Sequence, residues 1–292
     1  MHGLLLLNKK AGVTSFVSLA EVKKAFATGK VGHTGTLDKF ASGLLLVLVG
    51  RGVKLIPLFK NCTKEYTAEI FFGRETDTLD PEGNVIAEGE VPSLKAIEAV
   101  LENFRGDILQ APPAYSAKHI NGRRSYELAR EGKEPEMKKQ TVTMHELSLL
   151  SWTPPTGRIR VRVSSGTYIR SLARDIALAV GSRAYLSALK RDMVGPFRLE
   201  DAVNNDCPDI NGALRPINPS LFEKLQFPFF FIDPKAEEGF LHGKSLEGLL
   251  NKEELSMNVD AAGVFARDRL DFLGFLERKN EKWSYGYVFA GN

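Results

Sequence analysis

Cysteine is nearly missing from this chain of 292 residues: Cys62 and Cys207 are the two present, and neither sits in a Cys-x-x-Cys or Cys/His cluster. A disulfide framework and a thiolate zinc site are therefore excluded from the reading, and a reducing compartment is the natural home. The five histidines, His2, His33, His119, His145 and His242, are too scattered to form a metal site, so neither metal nor cofactor is expected. Long apolar runs are missing too. The start offers only Leu4 to Leu7, too short for a signal-peptide core, and no stretch approaches the roughly 18 apolar residues of a membrane span. The expectation is a cytoplasmic protein with no membrane partner. Internal repeats and low-complexity tracts are also lacking.

What is present describes a globular chain long enough for one large core or two domains. The net charge of +3 says little, but its distribution says more. Residues 158 to 198 carry nine Arg/Lys against two acids, whereas residues 229 to 292 carry eight basic against eleven acidic side chains. Positive charge gathered in the middle of the chain fits a polyanion lying across one face of the larger domain, and it fits a solvated basic surface as well.

Leu4 to Leu7 read as a buried strand, and Thr14-Ser15 supply N-caps for a helix running to Gly29. Further helices are expected near 52 to 59, 93 to 104, 123 to 131 and 167 to 180. Strands are expected at 44 to 49, 66 to 72, 107 to 110, 114 to 119, 141 to 151 and 158 to 164, with Asp80-Pro81-Glu82-Gly83 a turn before Val85-Ile86. In Ile159-Arg160-Val161-Arg162-Val163 strict alternation puts three β-branched residues on the core face and two arginines opposite. Strands and helices interleave without a βαβ repeat, so the fold class is α+β, with a mixed, largely antiparallel sheet. Phe227 to Phe231, broken by Pro228 and followed by Asp233-Pro234, marks the domain junction. The expected division is 1–228 and a small β-rich module at 229–292.

The most specific stretch is Gly32-His33-Thr34-Gly35-Thr36-Leu37-Asp38, closed by Ser42-Gly43 and followed by the apolar run Leu44 to Val49. It presents one carboxylate on a loop leading into a core strand. The two glycines flanking His-Thr are expected to give the loop its tight backbone. On spacing alone, a capping aspartate and a hydrogen-bonded histidine in an ordinary loop remain the favoured reading.

The string GHTGTLDKFASGLL as a whole resembles the catalytic loop of the tRNA pseudouridine-55 synthases, the TruB-type family. Four further stretches match in order: GLLLLNKKAGVTSF; Lys64-Glu65-Tyr66 with Gly73 to Asp80; PPAYSAKHINGRRSYELAREG from Pro112; and SGTYIRSLARDIA from Ser165. The resemblance spans about residues 3 to 250. It implies the pseudouridine synthase fold, with helices and loops around a central cleft, and a C-terminal PUA-like domain that matches only weakly. It also implies isomerisation of uridine to pseudouridine in the T-arm loop of tRNA, by an enzyme acting as a monomer with no obligate protein partner and no cofactor.

Site residues follow from the same resemblance. Asp38 is the nucleophile attacking a flipped-out uridine, or the group stabilising a glycal-like intermediate. Arg170 pairs with it and keeps it ionised. Tyr66 stacks on the uracil, His33 fills the vacancy left in the RNA, Tyr168 walls the pocket and Asp80 orients a basic neighbour. Lys9, Lys64, Lys118, Arg123 and Arg124 are candidates for phosphate contacts. By residue type alone, Tyr66 reads as a core tyrosine, Arg170 as one more surface arginine and Asp80 as the first residue of an Asp-Pro turn. The chain departs from the family pattern at Lys10 and Lys39, where proline is usual, at Phe40, and at Lys118-His119. Two alternatives stand beside the tRNA enzyme: a pseudouridine synthase acting on another RNA, and a non-catalytic tRNA-binding or folding chaperone using the same surface.

Overall fold

In the computed structural model, residues 2–115, 119–120, 123–124 and 138–289 are described, the two short pieces by backbone only. The leucine-rich strand β1 (Gly3–Lys9) leads into helix α1 (Ser15–Ala25), whose first turn is capped by Thr14 Oγ1 accepting from the Val17 N–H. There follow β2 (Val31–His33), β3 (Ser42–Val49), a 3-10 helix at Gly50–Phe59, β4 (Lys64–Phe72), β5 (Arg74–Thr76), β6 (Val85–Glu88), α2 (Leu94–Leu101) and β7 (Gly106–Gln110). The two-residue strands β8 (His119–Ile120) and β9 (Arg123–Arg124) pair with each other. Then come β10 (Gln140–Thr153), β11 (Thr156–Val163), α3 (Ile169–Ala179), β12 (Ala184–Val194), β13 (Phe197–Arg198), β14 (Val203–Asn204) and α4 (Pro219–Lys224).

Ten of these strands form one sheet in the order β14-β1-β3-β12-β4-β11-β10-β7, with β2 on β3 and β13 on β12. Only the β1–β14 and β3–β12 pairs are parallel. The sheet is thus mixed and largely antiparallel, as expected. Alternation along β11 buries Ile159, Val161 and Val163, while Arg158 and Arg160 point to solvent and Arg162 is half-buried.

Strand β12, which joins the two halves of the sheet, has no counterpart among the expected elements. Its register against β4 shifts between Leu186 and Ala188 and again between Arg191 and Met193, so two irregularities erase the period of two. The expected strand at 114–119 is not formed at Ala114 and Tyr115, and residues 116–118 lie outside the described ones. Of the expected helix at 123–131, Arg123 and Arg124 are in β9 and the rest lies outside the described residues.

Beyond α4, a second sheet is built from β15 (Phe229–Ile232), β16 (Ala261–Ala266), β17 (Phe272–Lys279) and β18 (Lys282–Val288), with α5 (Pro234–Leu241) and α6 (Lys252–Ser256) beside it. The two sheets share apolar core. Leu4, Leu6, Leu44, Leu46 and Leu48 belong to one cluster with Phe222, Phe265, Phe272 and Phe289. The phenylalanine-rich segment at 227–231 therefore glues the two sheets together as much as it divides them. No helix among the described residues is long and apolar enough to cross a membrane.

Candidate active site

Asp38 lies in the loop between β2 and β3, and the loop is fastened from beneath at several points. Ser15 Oγ, at the start of α1, donates to Leu37 O (3.0 Å) and accepts from the Leu37 N–H (2.8 Å). The Lys9 side chain is fully buried, and its ammonium donates to Ala41 O (2.6 Å), Val13 O (2.7 Å) and Lys10 O (3.0 Å). Arg191, 2% exposed, donates from Nε to Leu44 O (2.7 Å) and from Nη2 to Gly35 O (3.1 Å). Two buried cations thus bind main-chain carbonyls on both sides of the carboxylate.

The loop's backbone freedom is not where the sequence placed it. Gly32 and Gly35 do not adopt left-handed angles, whereas Gly43 has φ +106°. A side chain at Gly43 would also collide with the Arg191 backbone carbonyl. At Gly32 a Cβ would come within 2.8 Å of Ile56 Cδ1, the movable end of a side chain.

Arg170, in the first turn of α3, joins Asp38 to Asp80. Its Nε lies 3.0 Å from Asp38 Oδ2 and its Nη2 donates to Asp38 Oδ1 at 3.2 Å, a two-pronged fork. Nη1 donates to Asp80 Oδ2 (3.1 Å) and Thr78 O (2.8 Å), and Nη2 also donates to Tyr115 O (3.0 Å). The side chains of Arg170 and Asp80 are each 7% exposed, whereas that of Asp38 is 37% exposed and faces the cavity. Asp80 is itself held by Thr78 Oγ1 (2.6 Å) and the Glu82 N–H (3.0 Å). Between Thr78 and Asp80, Leu79 has φ +61°, an uncommon angle for a leucine. Its buried side chain anchors the turn, and this conformation lets the Thr78 carbonyl and the Asp80 carboxylate converge on one guanidinium.

The resulting cavity, about 690 Å³, is lined by Asp38, Lys39, Asp77, Thr78, Asp80, Glu82, Gly83, Asn84, Tyr115 and Arg170. Burial raises the Asp38 carboxyl above its ordinary value of 3.8, the Arg170 fork opposes the rise, and the like charge of Asp80 adds to it. Asp38 is therefore a half-open carboxylate held in one orientation, able to meet an electrophilic carbon from the cavity side.

The remaining expected residues fall into three groups. Lys9 is corrected: its ammonium is consumed by carbonyls beneath the loop, out of reach of an external phosphate. Lys64 donates to Cys62 O (2.7 Å), half-buried, and burial lowers its proton affinity. Tyr66 is 8% exposed in β4, packed in the same apolar cluster as Leu37 and Ala41 and paired with Arg191 across the sheet. His33 is half-buried in β2, where burial and Arg191 disfavour its protonated form. Tyr168 sits just before the first turn of α3, and its N–H donates to Gln110 Oε1 (2.8 Å). None of these three lines the cavity around Asp38. Lys118 lies outside the described residues, and only the backbone of Arg123 and Arg124 is described.

The sequence reading missed Arg191, Thr78 and Tyr115 as site-building groups. It missed them because Thr78 and Tyr115 act through main-chain carbonyls that Arg170 binds, and Arg191 acts by donating to the carbonyls of Leu44 and Gly35. The basic cluster at 158–198 is also less available than its composition implied. Arg170 and Arg191 are buried, while Arg162, Arg174, Arg183 and Lys190 pair with Glu146, Asp175, Glu75 and Asp192.

Comparison with known proteins bears on the same stretches. Over residues 23–169 the chain matches the TruB family pseudouridylate synthase (N terminal domain). It is 48% identical over 204 residues to the tRNA pseudouridine synthase B of Borreliella burgdorferi (strain ZS7), covering 69% of this chain and 72% of that protein. The tRNA pseudouridine synthase B of Francisella philomiragia is 45% identical over 209 residues, 70% of this chain and 69% of that one. Among solved structures, a chain from a Cbf5-Nop10-Gar1 complex superposes with a TM-score of 0.71 at 25% identity, over 98% of this chain and 84% of that chain.

Proposed function

The chain belongs to the TruB family of pseudouridylate synthases, and from that premise we propose that it converts a uridine in the T-arm loop of tRNA to pseudouridine, with Asp38 as the nucleophile. The observation that carries the reading is the Asp80–Arg170–Asp38 relay at the wall of the cavity. A single carboxylate, ionised and aimed by a guanidinium that is itself fixed from behind, suits a reaction in which one glycosidic bond is exchanged for another.

The reaction is an isomerisation. The C1′–N1 bond breaks, C1′ rejoins the base at C5, the proton on C5 is lost and N1 gains one. Asp38 either bonds to the nucleotide or stabilises a glycal-like intermediate while the uracil turns. Arg170 keeps Asp38 charged although burial favours its neutral form. A stacked uridine cannot reach a carboxylate recessed in this way, so the base is extruded, at a cost of about a few kcal/mol. On this reading His33 fills the space the base leaves, Tyr66 stacks on the extruded uracil and Tyr168 walls the pocket. Lys64, Lys118, Arg123 and Arg124 remain proposed phosphate contacts. We take 1–228 as the catalytic part and 229–292 as an accessory PUA-like module of a monomeric, cytoplasmic enzyme.

The test is to incubate the purified chain with an unmodified tRNA transcript and map pseudouridine by chemical labelling. One modified position in the T-arm loop is expected. Modification elsewhere, or binding without modification, would overturn the assignment.

A further inference from the structure

Among the described residues, the lining of the cavity that holds Asp38 carries the wrong charge for a nucleic acid: four carboxylates, those of Asp38, Asp77, Asp80 and Glu82, stand against two cations, Lys39 and Arg170. Arg170 is buried and committed to Asp38, Asp80 and two carbonyls. An extruded nucleotide swings about its backbone, so the phosphates flanking its ribose stay at the mouth while the base goes in. Among the described lining residues, Lys39 is the cation left to meet them.

Its placement fits that task. Lys39 follows Asp38 directly, so its Cα lies about 3.8 Å from that of the nucleophile. Its backbone is pinned, with Lys39 O accepting from the Gly12 N–H at 2.8 Å. The side chain reaches across the mouth to Glu82, Nζ to Oε1 2.8 Å, with 53% and 42% of the two side chains exposed. A half-exposed pair of this kind is weak and easily exchanged. The lysine stem is flexible and its ammonium can follow a new acceptor.

We propose that Lys39 binds the phosphate of the extruded nucleotide and that Glu82 holds the ammonium in position until RNA displaces it. The proposal rests on the uridine-flipping reading above and adds to it a contact that the proline usual at this position could not make.

The test measures affinity for an unmodified tRNA transcript between about 50 and 200 mM salt, with single-turnover pseudouridine formation alongside. Lys39→Ala and Glu82→Gln should act in opposite directions. Lys39→Ala weakens binding and removes one phosphate contact, so affinity falls about threefold less steeply across that salt range than in the wild type. Glu82→Gln frees the lysine and tightens binding by about 1.5- to 5-fold, and most of that gain disappears in the Lys39→Ala background. If both variants shift affinity in the same direction, or neither shifts it, the pair is a surface bridge and the proposal is wrong. A wild-type protein that forms pseudouridine while the variants behave alike overturns only the Lys39 proposal. A wild-type protein that does not bind the RNA overturns both.

Discussion

Replacing Arg170 by methionine keeps a long apolar stem but removes the guanidinium that bridges Asp38 and Asp80. Among the described residues, Asp80, with 7% of its side chain exposed, would then keep only Thr78 Oγ1 and the Glu82 N–H as partners. Stranding one member of a buried pair costs about 3–5 kcal/mol. The Thr78 and Tyr115 carbonyls lose their donor as well, about 1 kcal/mol each when no water replaces it. Asp38 adds less, because its side chain is 37% exposed and solvent screens it. The expected loss is on the order of 6 kcal/mol, a large share of a typical stability of about 5–15 kcal/mol. With about 2–4 °C per kcal/mol for a chain of this class, the melting midpoint should fall by roughly 12–24 °C. Urea unfolding followed by circular dichroism measures it. Arg170→Met/Asp80→Asn should recover a good part of the loss, since the stranded charge is gone. A loss below about 1 kcal/mol, or a double variant no more stable than the single one, would refute the relay as a buried electrostatic unit.

Two further predictions concern pH. Because burial raises Asp38 above 3.8 and Asp80 contributes to the rise, single-turnover rates should climb with pH through a midpoint above 3.8. Asp80→Asn, by removing a like charge, should move that midpoint down; a midpoint that stays put or rises contradicts the assignment of causes. Lys9 is pushed down by burial from 10.5 to about 8, so between these values the unfolded chain binds the extra proton and stability rises with pH. Denaturation midpoints should show that rise between about pH 8 and 10.5 in the wild type and lack it in Lys9→Met; equal slopes would mean that Lys9 does not titrate in this window.

Regular periodicity made much of the fold legible: the leucine runs of β1 and β3, the alternation of β11, and the helix that begins beside Arg170 all fall where the sequence put them. Strand β12 was hidden because two register shifts break its alternation, although it joins the halves of the sheet. The pairing of Asp38 with Arg170, and the orienting place of Asp80, were readable only through the motifs, since these residues are far apart in the chain. Lys9 and Arg191 looked like surface cations because nothing in a sequence reveals that a charge will be satisfied by main-chain carbonyls. The glycine expectation failed in a similar way, as Gly43, not Gly32 or Gly35, supplies the left-handed turn. The core shared between the two sheets joins leucines near the N-terminus to phenylalanines more than two hundred residues later, a contact that no local pattern encodes.

Asp38→Asn tests the central claim most directly, because it keeps the side chain's volume and reach and removes its charge and nucleophilicity. Single-turnover pseudouridine formation is measured with enzyme in excess, together with filter-binding affinity for the same transcript. The expected result is turnover at background with tRNA affinity close to wild type, since a group acting only along the reaction path does not contribute to ground-state binding. Turnover near the wild-type rate would contradict the account, and a collapse of binding along with turnover would make Asp38 a structural residue of its loop.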